Sequence, residues 1–123
     1  MIIEIGGLTL EVALYDSPAA KALAAALPQT ITMSRWGGEY YGRLAAPLGA
    51  KGGELRDDYD PGEVALWPPG NAFCIFFGPT PASTGDRPRM ASPGVPLGRI
   101  AGDPAALEKL GGTVKAALRL KGA

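Results

Sequence analysis

Six consecutive residues, Ala72-Phe73-Cys74-Ile75-Phe76-Phe77, carry neither a charge nor an amide, and they are fenced by Trp67-Pro68-Pro69-Gly70 before and Gly78-Pro79 after. A run so apolar and so short, closed at both ends by residues that cannot continue regular structure, predicts a fully buried strand. Similar punctuation recurs along the chain. Ile2–Ile5 and Leu8–Leu14 are β-rich and meet at Gly6-Gly7, a pair that accepts the positive φ of a two-residue hairpin turn. In the second run Leu8, Leu10, Val12 and Leu14 alternate with Thr9, Glu11 and Ala13, the period of a half-buried strand. Thr30–Trp36 places Ile31 and Met33 on one face until Gly37-Gly38 interrupts it, which reads as a bulge or bend. Past that break Glu39, Tyr41 and Arg43 share one face while Tyr40 and Leu44 share the other. Glu63–Trp67, Val95–Ile100 and Thr113–Leu120 supply the remaining strands.

Helical signals are few. Ser17 is placed to cap a helix begun by Pro18, with Ala20, Leu23, Ala24 and Leu27 on one face and Pro28 ending it. Asp103-Pro104 opens a second short helix through Leu110, stopped by Gly111-Gly112. Residues 45–62 and 78–94, dense in Gly, Pro and Asp, read as loops. The sum is a mainly β, closed eight-stranded barrel with two short helices capping its open ends. At 123 residues it forms a single domain, 1–123.

Chemistry is bounded mostly by what is missing. There is no histidine, so Ser-His-Asp and Cys-His nucleophile systems are excluded and proton transfer falls to carboxylates, Lys or Tyr. Cys74 is the sole cysteine, which excludes an internal disulfide. Between Phe73 and Ile75, with no base nearby, it reads as a small buried hydrophobe and not as a nucleophile. The N-terminus lacks the basic and apolar regions of a signal peptide, and no run of apolar residues is long enough to span a membrane, so a cytoplasmic location is expected. Lys+Arg and Asp+Glu number 12 each, which offers nucleic acid or an anionic membrane no footing. Residues 1–63 nevertheless hold five basic and nine acidic groups, against seven and three in 64–123. That asymmetry reads as two differently solvated surfaces, or as pairing between subunits of a homo-oligomer.

Phe73, Ile75 and Phe77 share a strand face and are candidates for the core, for a pocket wall, or for both. Glu39, Tyr41 and Arg43 form the sharper constellation, because a face packed inside a barrel would not carry two charges. Trp36 and Trp67 are candidates to line the same groove. Asp57, Asp58, Asp60 and Glu63 read as a solvated acidic turn. A calcium loop begun at Asp58 would put Pro69 where its bidentate Glu belongs, and no metal or cofactor is expected.

Several stretches together resemble the cyclophilin-like family. They are Leu8–Pro18 as a strand running into a Pro-started helix, Trp36-Gly37-Gly38-Glu39, the Trp67–Gly70 corner, Phe76-Phe77-Gly78 with Thr80-Pro81, and Leu97-Gly98-Arg99-Ile100. The resemblance implies a peptidyl-prolyl isomerase-like site, in which Arg43 stands for the arginine that hydrogen-bonds the prolyl nitrogen and Phe76 or Phe77 floors the pocket. Ile75 stands where the family has a glutamine, and the pocket histidine has no counterpart, so the implied activity is weak or lost. The expected ligand is a proline-containing peptide or a small amide-bearing molecule, held by Trp36, Glu39, Tyr41, Trp67, Phe73, Phe76, Phe77 and Thr80 around Arg43. The competing expectations are a metabolite site of the cyclic-amide kind and a structural, oligomerising module without chemistry.

Overall fold

Strands with one apolar face must hide that face against something, and a small sheet can do so by closing on itself. The computed structural model, which describes residues 1–48 and 54–122, shows this closure. Its strands are β1 (Ile2–Ile5), β2 (Leu8–Leu14), β3 (Gln29–Trp36), β4 (Glu39–Arg43), β5 (Arg56–Asp58), β6 (Glu63–Trp67), β7 (Ala72–Phe76), β8 (Arg89–Ile100) and β9 (Thr113–Arg119). The order is β2-β1-β9-β3-β4-β7-β6-β8, and β2 pairs with β8, so eight strands complete a ring; β5 is joined to β8 alone. This is the mainly β, eight-stranded closed architecture that the sequence predicts.

Alternation decides what fills the ring. Met33, Tyr40, Leu66, Phe73, Ile75 and Leu97 point inward and are fully buried. Two helices close the ends. Helix α1 (Pro18–Ala25), capped by the Ser17 hydroxyl on the Ala20 amide, inserts Leu23 into the interior. It joins the end of β2 to the start of β3. A 3-10 helix over Pro104–Lys109, capped by the Asp103 carboxylate on the Ala105 amide, inserts Leu107. It leads into the start of β9, where Thr113 pairs with Ser34 near the end of β3, so the two plugs occupy opposite ends. Burying each leucine stabilises the fold by about 1.5–3 kcal/mol relative to exposure.

The structure corrects four expectations. Gly37-Gly38 is a hairpin turn and no bulge, since Trp36 pairs with Glu39 across it and Gly37 has φ +60°. The segment 45–62 contains β5, followed by the buried Tyr59. The last six residues of 78–94 belong to β8, a 12-residue strand. Pro93, Gly94 and Pro96 obscure it in the sequence, but the register slips between Val64 and Ala65, beside Pro96, and such slips admit proline in a strand. Finally, the acidic stretch is partly exposed but ion-paired, and its partners come from the basic half of the chain. Arg87 meets Asp58 at 2.8 Å and Asp60 at 3.1 Å, Arg89 meets Asp57 at 2.9 Å, and Arg99 meets Asp60 at 3.0 Å. Lys121 holds Glu11 at 2.8 Å. The acidic stretch is thus an ion-paired one, not a free solvated turn.

Among the described residues no helix is long and apolar enough to cross a membrane, and no cluster of His, Cys, Asp or Glu is arranged to hold a metal ion.

Candidate functional site

The outward faces of β3, β4, β7 and β6 would ordinarily meet water. Here Met90, near the start of β8, and Tyr59, just after β5, join the outer side of β6 and β7 in a second, smaller apolar cluster of Tyr59, Ala65, Ala72, Cys74, Phe76 and Met90, with Trp67 packed against it. The Phe76 ring stacks on Tyr59 at 4.6 Å and 14°, which anchors the segment after β5 to the ring wall. Beside this cluster lies a hollow of about 190 Å³, lined by Trp36, Glu39, Tyr41, Trp67, Cys74, Met90 and Ala91.

Each lining residue is placed by strand register. Trp36 pairs with Glu39, Tyr41 with Cys74, and Cys74 with Ala65 on the other side, so the small Cys74 and Ala65 form a low floor between large neighbours. Trp67 ends β6 just before the Pro68–Gly70 turn, its indole N–H donates to the Ser92 hydroxyl at 2.9 Å, and its ring packs under Gly70. That hydrogen bond fixes the indole and occupies its donor.

Glu39 is the polar centre. Only 4% of it is exposed, and its Oε1 has no hydrogen-bond partner among the described residues. Burial raises its pKa to about 7, partly offset by the Cys74 thiol. Burial likewise pushes the thiol well above its usual range, with Glu39 adding to the effect, so Cys74 stays neutral and unreactive. A second buried acid, Glu63, shows the opposite behaviour. Burial works to raise it, but the Asp60 amide, the Tyr15 hydroxyl at 2.8 Å and the Arg56 guanidinium at 2.6 Å outweigh that and hold it below the usual carboxylate range. Glu63 is saturated, whereas Glu39 faces a hollow.

Of the residues singled out in the sequence, Trp36, Glu39, Tyr41 and Trp67 are brought together. Arg43 lies exposed on the same face of β4 but beyond Tyr41, opposite Ala72, and does not line the hollow. Phe73 and Phe77 point into the ring, Phe77 against Tyr40 at 5.6 Å, so Arg43 and Phe77 stand on opposite sides of the wall. Phe76 is on the outer side but buried against Tyr59. Thr80 is buried elsewhere, donating to the Arg89 carbonyl and accepting from the Ala82 amide. Sequence reasoning missed Met90 and Ala91, hidden in an apparent loop, and the role of Cys74 as floor; alternation along β7 with Phe76 was the available signal for the latter.

A family model described as cyclophilin-like matches residues 1–119. The solution structure of the hypothetical protein AF2241 from Archaeoglobus fulgidus is 32% identical, with a TM-score of 0.78 over 96% of this chain and 91% of that one. The structure of McbB in complex with tryptophan is similar in fold, with a TM-score of 0.72 and 17% identity over 99% of this chain and 45% of McbB. Comparison with curated proteins finds no match.

Proposed function

The chain belongs to the cyclophilin-like family, and from that premise we propose that it is a binding domain for a small molecule carrying one ring and a hydrogen-bonding nitrogen. The outer hollow takes the ring and Glu39 takes the nitrogen. The observation that carries this reading is the Glu39 Oε1, buried without a partner at an apolar cavity. An unsatisfied buried acceptor costs roughly 1–3 kcal/mol, and a ligand N–H recovers it. About 190 Å³ is below the ~300–1,000 Å³ of sites that enclose drug-sized ligands, so the fit is to one ring or one side chain. The fold also occurs in McbB, whose solved structure is a complex with tryptophan, a ring compound bearing nitrogen.

Titration of the intrinsic tryptophan fluorescence with small cyclic amides and amines tests the reading, because the chain has two tryptophans and both line the hollow. A saturable change with at least one compound, matched by a rise in Tm through mass action, is expected. A silent panel overturns it.

Isomerase activity is the second reading, and family membership favours it. Twisting an Xaa-Pro amide requires a donor at the prolyl nitrogen. With Arg43 lying beyond Tyr41, the neutral carboxyl of Glu39 is the acidic donor that lines the hollow. The expected activity is feeble, is confined to the acid side of about pH 7, and at pH 6 is lost in Glu39→Ala and kept in Arg43→Ala. A chromogenic Xaa-Pro peptide measures it, and a rate at background in both pH ranges eliminates it.

A further inference from the structure

We infer that the ligand is a cation, a substituted ammonium group seated on the Glu39 carboxylate among Trp36, Tyr41 and Trp67. This rests on the small-molecule reading above and specifies the charge of what binds.

The lining has one sign. It offers one carboxyl, three electron-rich rings and the polarizable sulfurs of Cys74 and Met90, and no lining residue is cationic. Rings present negative π faces to an ammonium, and desolvation in a hollow strengthens that attraction. The Trp67 N–H is already committed to Ser92, so this ring has its π surface and not its donor to give. A neutral amide fits less well, since it brings no charge to the carboxylate and its carbonyl oxygen is repelled by it, leaving that oxygen to the Trp36 N–H or the Tyr41 hydroxyl. An ammonium carries donors alone, which is what an unpartnered carboxylate oxygen requires.

Every element around Glu39 agrees. Trp36 faces it from β3, Tyr41 follows it on β4, Cys74 and Phe76 flank it from β7, Trp67 lies on β6 and Met90 on β8. The titratable groups among these are the Cys74 thiol, held neutral by burial, and the Tyr41 phenol; neither supplies positive charge. Burial holds a proton on Glu39 up to about pH 7, and a cation that binds beside it displaces that proton to solvent.

Pyrrolidine, protonated near neutral pH, and pyrrolidin-2-one, its neutral amide of matching ring size, form the deciding pair. Tryptophan fluorescence and calorimetric titration at about pH 8 should show pyrrolidine binding at least about tenfold more tightly, with that preference abolished in Glu39→Gln. Independently of any variant, pyrrolidine affinity should fall about tenfold from pH 8 to pH 6 as Glu39 takes up its proton. Equal or tighter binding of pyrrolidin-2-one, or a flat pH profile for pyrrolidine, overturns the cation inference and leaves the pocket reading intact. Binding of neither compound overturns both.

Discussion

The guanidinium of Arg35 lies 5.0 Å from the centre of the Phe77 ring. Phe77 does meet an arginine, but from β3 and at the end of the ring plugged by the 3-10 helix. Arg35 also donates to the carbonyls of Gly37 at 2.9 Å and Glu108 at 2.8 Å, and pairs with the Glu108 carboxylate at 2.7 Å. It thereby ties the β3–β4 turn to the plug. Arg35→Ala should cost about 1–2 kcal/mol, read as a lower urea midpoint. Arg35→Lys should recover less than half of it, since an ammonium cannot serve those acceptors as a planar fork. A variant as stable as the wild type would show that the plug holds without this tie.

Glu39 makes stability fall with rising pH. Its pKa in the fold is about 7, above the ordinary carboxylate value of the unfolded chain, so the native state holds the extra proton between about pH 4.5 and 7. Stability from this group is full below that window and is lost across it, by roughly 2–4 kcal/mol. Glu63, held below its usual range, acts in the opposite sense and only at lower pH, where acid protonates it. Unfolding midpoints should therefore peak near pH 5 and decline toward pH 8. Glu39→Gln should flatten the decline and exceed the wild type in stability at pH 8. An unchanged slope would mean that Glu39 titrates normally.

Gly38 should not tolerate a side chain. A Cβ there would lie 2.2 Å from the Gly78 carbonyl carbon, and the contact is backbone against backbone, since the Phe77 and Gly78 amides both donate to the Gly38 carbonyl. Gly38→Ala should destabilise by about 1–3 kcal/mol or more. Gly85→Ala, where nothing lies within 4 Å of the added atom, should change stability by less than about 0.5 kcal/mol. Similar losses in thermal melts of the two variants would contradict the close approach.

These contacts mark the division between what was legible and what was not. Period-two alternation put Ile31 with Met33 on one face, Tyr40 with Leu44 on another, and grouped Glu39 with Tyr41, because strand geometry is local. The turn chemistry of Gly6-Gly7 and the Ser17-Pro18 cap were legible for the same reason. That Glu39 would be buried was not, since the residues that share its hollow, Trp67 and Met90 and Ala91 of β8, lie tens of residues away. Nor was the start of β8, because Pro93, Gly94 and Pro96 carry loop chemistry and the strand is tolerated only through irregular pairing with β5 and β6. Arg43 shows the limit of carrying a role over from a motif. Its strand face was read correctly, but the position along β4 puts it past the hollow.

Glu63 should be among the most costly side chains to truncate. It is 1% exposed and accepts from Tyr15, Arg56 and the Asp60 amide, while Arg99 approaches to 3.8 Å. Removing the carboxylate leaves Arg56 without its main partner. Glu63→Ala should lose about 3–5 kcal/mol in denaturant unfolding, and Glu63→Gln somewhat less because it keeps the shape and part of the hydrogen bonding. A loss below about 1 kcal/mol would place this network among ordinary surface pairs.

Ala91 lines the hollow from the exposed side of β8, where a larger side chain meets no core. Ala91→Phe should therefore obstruct the hollow while leaving stability within about 0.5 kcal/mol of the wild type, since an aromatic suits a strand. Glu39 keeps its burial in this variant, so the pH dependence of unfolding should persist while the fluorescence response to pyrrolidine weakens at least about tenfold. The two readouts separate because the first depends on how Glu39 is covered and the second on whether the space beside it is open. Retained binding in Ala91→Phe would place the ligand outside this hollow.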